Sequence, residues 1–393
     1  MNNIPYDVPG LWEDYVDLMQ KKGIEFPRVA IHGGYGKNST GDDAILHVLI
    51  TRTRKYLPKA QITVICHGPE KVRSWYPEIS ACHFKSLSAL RAILESHIYF
   101  IGGGGIINRV NVFSGYQTFR IFDMKGKFLF FAAYLAKLFG AQTHFYAIGA
   151  TSFPDPIVKL LARVVLAQAD VVSVRDPLSI KNIRDLGVKR ELILVLDPAL
   201  SLEPASREEA TRTLREWGIA ERSRPLVCLN MRYVRDGVTD NLKTIAETIQ
   251  LVRYLVEEKG CDVLYIPFSQ HPFKHFEDDL DFGRKVKGGL GTLSHFYLME
   301  KYYHPTLTMA ILGEMDFCIL ERHHAVILTS KMAIPFFAIS YDDKVSQLMK
   351  ILGQEEMMID LSEFRWSKVR DKIEPSLNLI RSKKMGRPIE QSP

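Results

Sequence analysis

Four side chains near the C-terminal end of the chain could act on a small anion: Arg322, His323, His324 and Lys344. An arginine guanidinium is a planar fork that can bind a carboxylate or a phosphate through two hydrogen bonds. A histidine titrates near neutral pH and can pass a proton, and a lysine adds a compact positive charge. Taken singly, each residue is more often a solvated surface residue, an ion-pair partner or a core residue than part of a site. Grouped together, they predict a site for a small anionic substrate that also needs a proton moved.

Buried strands must position these side chains. The apolar run Phe317–Leu320 suits a buried strand and ends at a Glu-Arg-His-His group, and Ala325–Lys331 suits one short helix. Ile334–Ile339 is a second apolar run, which is followed by the polar turn Ser340–Lys344. Ligands of open parallel sheets bind outside the carboxyl ends of the strands. We therefore expect both polar groups to face one crevice.

The N-terminal half begins with a strand, a glycine-rich turn and a helix. The strand Arg28–His32 runs into a turn with four glycines, and a helix follows from about Asp42 to Arg54. This order is typical of the first unit of a dinucleotide-type fold, in which the helix N-terminus attracts an anion. The spacing matches neither G-x-G-x-x-G nor a Walker motif. The turn therefore predicts a ligand beside Asp42 and Asp43 but does not identify it as a nucleotide.

Four consecutive glycines follow the next buried strand, Ile98–Ile101. Glycines pack no side chain, so one interpretation is a flexible turn. The apolar residues on both sides favour the other interpretation, in which the backbone approaches a ligand closely at Gly103 and Gly104. Asn108 would then be a further polar contact.

Two more arginines follow predicted strands. Arg175 and Asp176 stand at the end of the strand Asp170–Val174, which also contains Ser173, and Arg232 stands after Leu226–Asn230. Two interpretations of Arg175 and Asp176 remain open. They bind substrate, or they form a structural pair that caps the following helix.

Composition limits the class of protein. The chain has 393 residues, of which 46% are hydrophobic and 24% charged, and this is typical of a soluble globular protein with two domains. The net charge of +6 suits anionic substrates or an anionic membrane face. The sequence has no basic stripe interleaved with aromatic residues, so it does not indicate binding of nucleic acid. Five scattered cysteines lack metal-ligand spacing, so we expect buried thiols in the cytoplasm and no metal.

The sequence allows two interpretations of membrane contact. No N-terminal signal peptide is visible. The most apolar run, Phe128–Phe139, is too short to span a bilayer. We expect this run to belong to the core, with docking at the inner face of the cytoplasmic membrane as the alternative.

Strands and helices alternate in both halves, which predicts an α/β fold with parallel sheets and right-handed crossovers. We divide the chain into an N-terminal extension (1–27), an N-terminal Rossmann-like lobe (28–204), a C-terminal Rossmann-like lobe (225–345) and a C-terminal helix with a polar tail (346–393). A polar, charged segment from Glu203 to Arg224 marks the border between the lobes.

Five motifs occur in the order found in polysaccharide pyruvyl transferases, and together they cover roughly Val29–Val345. The stretch Tyr35–Ile45 resembles the Y-G-x-x-N-x-G-D-E-A-I motif of that family, with Asp43 in place of the usual Glu. The other four are the glycine run, S-x-R-D-x-x-S from Ser173, Asp197-Pro198-Ala199, and R-x-H followed by S-Y-D-x-K, which contains Arg322, His324 and Lys344. Leu320-Glu321 stands where the family usually has Gly-Met.

The resemblance implies transfer of a pyruvyl group from phosphoenolpyruvate to a sugar of a polysaccharide or cell-envelope glycan, as a ketal, with release of phosphate. It also implies two facing Rossmann-like lobes similar to those of B-type glycosyltransferases. No cofactor is expected beyond phosphoenolpyruvate as co-substrate, and the acceptor could be lipid-linked. A nucleotide-sugar glycosyltransferase and a non-catalytic anion-binding protein are the alternatives.

The resemblance also assigns roles to residues of this chain. His324 would be the general acid/base, with Arg322 and Arg175 as catalytic cations. The substrate-binding positions would be Lys344, Arg232, Asp42, Asp43, Gly103, Gly104, Asn108, Ser173, Asp176 and His323.

Overall fold

The computed structural model describes residues 4–107, 124–150, 156–219, 223–234, 239–271 and 278–384. The chain divides into two compact units, Asn2–Leu202 and Glu203–Pro393. Among the helices of these described ranges, none is long and apolar enough to cross a membrane.

The N-terminal unit is a parallel sheet flanked by helices. The sheet order is β3-β2-β1-β4-β6-β7-β8, and β5 pairs with β6 beside this path. The strands are β1 (Arg28–His32), β2 (Gln61–Cys66), β3 (Ser80–His83), β4 (Ile98–Ile101), β5 (Gly104–Ile107), β6 (Gln142–Ala150), β7 (Val171–Val174) and β8 (Ile193–Leu194). The helices are α1 (Leu11–Lys21), α2 (Thr40–Tyr56), α3 (Pro69–Trp75), α4 (Leu87–Glu95), α5 (Met124–Leu138), α6 (Pro156–Gln168) and α7 (Pro177–Asp185).

The C-terminal unit holds a second parallel sheet, with the order β11-β10-β9-β12-β13-β14. The strands are β9 (Leu226–Asn230), β10 (Asp262–Tyr265), β11 (Phe296–Leu298), β12 (Phe317–Leu320), β13 (Phe336–Ser340) and β14 (Met358–Asp360). The helices are α8 (Arg207–Glu216), α9 (Asn241–Arg253), α10 (Asp279–Leu290), α11 (Pro305–Leu312), α12 (His323–Lys331), α13 (Asp343–Leu352) and α14 (Trp366–Lys384). The chain starts at β9 and runs outward in both directions, so the topological switch point lies between β9 and β12.

Burial on both faces explains why the central strands form. Every residue of β4, β9 and β12 is buried, as expected for parallel strands covered by helices on both sides. The prediction of two α/β units with parallel sheets is confirmed.

Both ends of the described chain pack into these units. Leu11, Trp12 and Tyr15 of α1 belong to a core cluster that also contains Val29 of β1. At the other end, α14 places its apolar face in the core of the C-terminal unit. The segments that the sequence analysis separates as an extension and a terminal helix are therefore structural parts of the two units.

The local structure differs from the sequence-based expectation at three places. The sequence of Ser294–Lys301 favours a helix, but Phe296–Leu298 within it form the short strand β11. The polar turn before Lys344 leads into a helix, α13, that we did not expect. The glycine run is not a loop throughout, because β5 begins at Gly104.

Candidate active site

Asn230 joins the carboxyl ends of three strands in the C-terminal unit. It is the last residue of β9 and is fully buried. Its amide oxygen accepts a hydrogen bond from the backbone N–H of Arg322 at 3.0 Å, and its amide nitrogen donates to the carbonyl of Ile266 at 2.9 Å. Asn230 therefore fixes the backbone at the switch point, where ligands of such sheets bind.

Arg322 is held rigidly at this point. Its Nη2 donates to Oδ1 of Asp279 at 2.5 Å, and its Nε donates to Oδ2 at 3.0 Å. Asp279 is fully buried and also accepts hydrogen bonds from the backbone N–H groups of Phe268 and Ser269, each at 3.1 Å. Burial lowers the pKa of Arg322, but Asp279 more than offsets this, and the pKa is raised. The side chain of Arg322 as a whole is 19% exposed.

Glu321 lies beside Arg322 and is fully buried. Its Oε2 accepts a hydrogen bond from the backbone N–H of Arg232 at 2.9 Å. Burial raises the pKa of Glu321 to about 8, although the neighbouring charges of Arg232 and Arg322 act in the opposite direction. We call Asn230, Arg232, Asp279, Glu321 and Arg322 the switch-point cluster.

The second polar group predicted from the sequence, Ser340–Lys344, lies at the end of β13. The ring of Tyr341 lies under the guanidinium of Arg232, with the guanidinium carbon 4.5 Å from the ring centre. Asp342 caps α13 by accepting a hydrogen bond from the backbone N–H of Lys344 at 3.1 Å. Lys344 is therefore in the first turn of a helix, and Arg232 connects the ends of β9 and β13.

The two histidines occupy the first turn of α12, because the helix begins at His323 and not at the predicted Ala325. Arg322 is the N-cap residue. The rings of His323 and His324 are 5.5 Å apart and nearly perpendicular, and both residues are partly buried. The N-terminus of a helix favours a bound anion. Arg322, His323 and His324 thus stand together at the end of β12, and their proton-carrying and anion-binding roles stay predictions.

In the N-terminal unit, Arg175 is buried and paired with carboxylates. Its Nη1 donates to Oδ2 of Asp197 at 2.7 Å, and only 4% of its side chain is exposed. Burial lowers the pKa of Arg175, but Asp197 and Asp176 raise it, and the net direction is upward. A Cβ atom on Gly149 would lie 3.1 Å from the Nε and Nη2 atoms of Arg175, so this glycine gives the guanidinium its space.

Asp176 has the capping role that the sequence left open. Its carboxylate accepts hydrogen bonds from the backbone N–H and the hydroxyl of Ser179, at 2.7 and 2.8 Å, at the start of α7. The closest carboxylate to Arg175 is Asp197, while Asp176 lies 4.0 Å from it. The prediction of Asp176 as a substrate ligand is corrected to a helix cap.

Ser173 is also structural. It is fully buried, and its hydroxyl accepts a hydrogen bond from the backbone N–H of Ala147 and donates to the carbonyl of Phe145. Ala147 has a φ of 47°, a left-handed conformation that is strained for a residue other than glycine. Ser173 stabilises this irregular part of β6, and its burial excludes it from contact with a substrate in this conformation.

At two positions of the glycine run, the packing of the protein itself leaves little or no room for a side chain. A Cβ atom on Gly102 would overlap the hydroxyl oxygen of the buried Tyr35. At Gly103 it would meet the backbone carbonyls of Tyr146 and Ala147. Gly103 therefore has a packing role, and its contact with a ligand stays a prediction.

Gly104 and the two aspartates of the glycine-rich turn differ in what they contact. Gly104 has a φ of +105°, and a Cβ there would lie 2.8 Å from Oδ1 of Asp42. Asp43 is buried and accepts a hydrogen bond from the backbone N–H of Gly36, so it holds the turn in shape. Asp42, which is partly exposed, stays the better candidate for a ligand. Asn108 lies outside the described residues.

Sequence reasoning missed three members of the switch-point cluster. Asn230 and Glu321 had a visible signal, because each is a polar residue directly at the end of an apolar run. Asp279 had none, since it lies 43 positions from Arg322 in the chain. Within the described ranges, no group of His, Cys, Asp and Glu residues has an arrangement that could hold a metal ion.

Comparisons with solved structures find the same fold at low sequence identity. An MnaA–UDP complex from S. aureus has a TM-score of 0.59 at 10% identity, covering 92% of this chain and 92% of that chain. A UDP-GlcNAc 2-epimerase from Methanocaldococcus jannaschii has a TM-score of 0.56 at 11% identity, covering 89% and 93%. A putative UDP-N-acetylglucosamine 2-epimerase from Listeria monocytogenes has a TM-score of 0.55 at 11% identity, covering 92% and 90%. At these identities the likeness concerns the fold alone.

The sequence itself identifies the family. No match was found among curated protein sequences. The family model for polysaccharide pyruvyl transferases matches residues 40–343, which is most of the chain and includes the switch-point cluster. This transferase chain therefore belongs to the polysaccharide pyruvyl transferase family.

Proposed function

We propose that this enzyme transfers the pyruvyl group of phosphoenolpyruvate to a sugar, forming a ketal and releasing phosphate. The observation that carries the proposal is Arg322, which Asp279 orients at the switch point beside the histidine pair of α12. A guanidinium fixed before the ligand arrives loses little freedom on binding, and it can act electrostatically without reorganisation.

Phosphoenolpyruvate carries a carboxylate and a phosphate, and it needs several cations. In the proposal, Arg322, Arg232 and Lys344 bind these groups. Arg175 of the N-terminal unit stays a proposed catalytic cation, as the family resemblance implies. Asp42 and Gly104 are proposed on the acceptor side.

The reaction begins with protonation of the methylene carbon by His324, which makes C2 electrophilic. A sugar hydroxyl attacks C2 and returns its proton to His324. The bond between C2 and the phosphate oxygen then breaks, and the guanidinium charges stabilise the leaving phosphate. A second hydroxyl of the same sugar adds to C2 and closes the ketal, and its proton leaves with phosphate. His324 therefore donates one proton to the methylene carbon and accepts one from the sugar hydroxyl, and no cofactor is required.

The experiment is phosphate release from phosphoenolpyruvate with a panel of hexose-containing acceptors. Acceptor-dependent release is expected from the wild type. His324→Ala should lower kcat by about 10²–10⁴-fold, whereas His323→Ala, at a proposed substrate-binding position, should mainly raise KM for phosphoenolpyruvate. If no acceptor gives release and a nucleoside diphosphate sugar, but not phosphoenolpyruvate, raises the melting temperature, the glycosyltransferase alternative replaces this proposal.

We further propose that the acceptor is lipid-linked and that the enzyme works in the cytoplasm, on the inner face of the membrane. Part of the predicted core run is in fact exposed, since Phe131, Tyr134 and Leu138 lie on one face of α5. On the adjacent helix α6, Leu160 is also exposed. Neither helix contains an acidic residue, and α6 has two exposed basic residues, Lys159 and Arg163, whereas Lys137 of α5 pairs with Asp170. Apolar side chains among cations suit an anionic lipid surface.

Vesicle flotation tests this membrane surface. The wild type should float with phosphatidylglycerol vesicles and not with phosphatidylcholine vesicles. The double variant Phe131→Ser, Leu138→Ser should bind at least roughly tenfold more weakly, because two large apolar side chains are lost. Leu87→Ser, which changes an exposed leucine of α4, is the control. Unchanged flotation of the double variant, or a wild-type dimer that this variant abolishes, would contradict the membrane role.

A further inference from the structure

Glu321 occupies an unusual electrostatic position in the switch-point cluster. It is fully buried, and Oε2 has one hydrogen bond, from the backbone N–H of Arg232. Among the described residues, Oε1 has no hydrogen-bond partner. A buried ionised carboxylate with one oxygen unsatisfied is costly, and protonation removes most of that cost. The proposed reaction assigns no role to this carboxyl group.

The charge of the cluster depends on whether Glu321 is protonated. Arg232 and Arg322 are positive, while Asp279 is negative and its carboxylate is satisfied by Arg322 and two backbone N–H groups. With Glu321 ionised, two positive and two negative charges cancel. With Glu321 protonated, the cluster carries one net positive charge. An anion therefore binds more favourably to the protonated form.

The other titratable groups around Glu321 do not alter this balance near neutral pH. Tyr265 of β10 donates its hydroxyl to the carbonyl of Met231, and burial raises its pKa well above the ordinary value. Burial also raises the pKa of Tyr341, at the end of β13. Both tyrosines stay neutral. His323 and His324 follow on α12, and the experiment must separate them from Glu321.

We infer that Glu321 is the proton-carrying residue of the switch-point cluster, and that an anion binding there causes it to take up a proton. The inference rests on the proposed function only in that the natural anion would be the carboxylate or phosphate of phosphoenolpyruvate. Glu321 acts through the arginines and is a positioning residue. Its burial-raised pKa of about 8 places the uptake in an accessible pH range. Affinity for an anion should fall as the pH rises above that value.

Calorimetric titration with sulfate tests this, because the charge of sulfate is constant between about pH 6 and about pH 10, the range that brackets the Glu321 pKa. Titration in buffers of different ionisation enthalpy gives the number of protons taken up. At about pH 8, the wild type should take up roughly half a proton per sulfate. Glu321→Gln keeps an acceptor for the Arg232 N–H and imitates the protonated carboxyl group. It should take up none, and at about pH 9 it should bind sulfate up to about tenfold more tightly than the wild type.

Glu314→Gln is the matched control, since Glu314 is a buried glutamate of the same unit that pairs with Arg207 outside the cluster. It should behave as the wild type. If Glu321→Gln fails to fold, the wild-type profile decides, because uptake through Glu321 is centred above about pH 8, whereas a histidine with an ordinary pKa takes up protons from about pH 6.5. Sulfate binding without proton uptake, or equal uptake in Glu321→Gln, would overturn this inference alone. Absence of any binding by sulfate or phosphoenolpyruvate would overturn the proposed function as well.

Discussion

Asp279 orients Arg322 through two parallel hydrogen bonds, from Nη2 to Oδ1 at 2.5 Å and from Nε to Oδ2 at 3.0 Å. The Asp279 carboxylate is fully buried, whereas the side chain of Arg322 is partly exposed. Such a bidentate pair fixes a plane as well as a position. The structure thus places the orienting group inside the protein, beneath a partly exposed arginine.

Asp279→Asn should destabilise the protein and weaken catalysis. The amide keeps the shape of the side chain but removes the charge opposite a largely buried guanidinium, which should cost about 3 kcal/mol of unfolding free energy. The loss of orientation should lower kcat/KM for phosphoenolpyruvate by about 10²-fold. Urea unfolding and phosphate release measure the two effects. Glu300→Gln, which breaks an exposed pair with Arg284, should cost less than about 1 kcal/mol and leave activity unchanged.

Gly149→Ala should displace Arg175. The new Cβ would lie 3.1 Å from Nε and Nη2 of Arg175 and 3.3 Å from the carbonyl oxygen of Gly104, so one of these groups must move. We expect a cost of about 1–3 kcal/mol from overpacking and at least a tenfold fall in phosphate release, because Arg175 is a proposed catalytic cation. Gly288→Ala in α10 is the control, since a Cβ there contacts nothing within 4 Å. Equal behaviour of the two variants would contradict the role of Gly149.

Ser173→Ala should separate stability from substrate binding. It leaves the buried N–H of Ala147 without its side-chain acceptor, which should cost about 1–3 kcal/mol. Because Ser173 is fully buried, KM for phosphoenolpyruvate should stay within about twofold of the wild type. Ser74→Ala changes an exposed serine of α3 and should affect neither quantity. A large rise in KM with unchanged stability would restore the original assignment of Ser173 to the substrate site.

The central strands could be predicted from the sequence because they are buried on both faces. β9 and β12 are uninterrupted apolar runs, and their predicted limits equal the observed ones. β11 could not be predicted, since it has three residues at the edge of the sheet and forms through long-range pairing, as between Val263 and Phe296. Local preference contains no information about such a partner.

Only those residues of the candidate site that directly follow a strand could be predicted from the sequence. Arg322, His323 and His324 met this condition. Asp279 did not, because its proximity to Arg322 depends on the path of the chain between β10 and α10. The glycine run shows the same limit, since a sequence reveals that Gly102 has no side chain but not that Tyr35 fills the space.

The stability of the protein should decrease as the pH rises, because Glu321 loses its proton. Its pKa is about 8 in the folded chain, against an ordinary value of 4.5. Between these two values the folded state binds more protons than the unfolded state, so the free energy of unfolding falls as the pH rises, and the contribution is lost above about pH 8. The total effect should be on the order of a few kcal/mol. Glu321→Gln cannot titrate, so its urea midpoint should match the wild type at about pH 5 and exceed it increasingly up to about pH 9. Glu314→Gln should follow the wild type throughout. A difference between Glu321→Gln and the wild type that does not change with pH would show that Glu321 is already ionised in the folded protein at acidic pH.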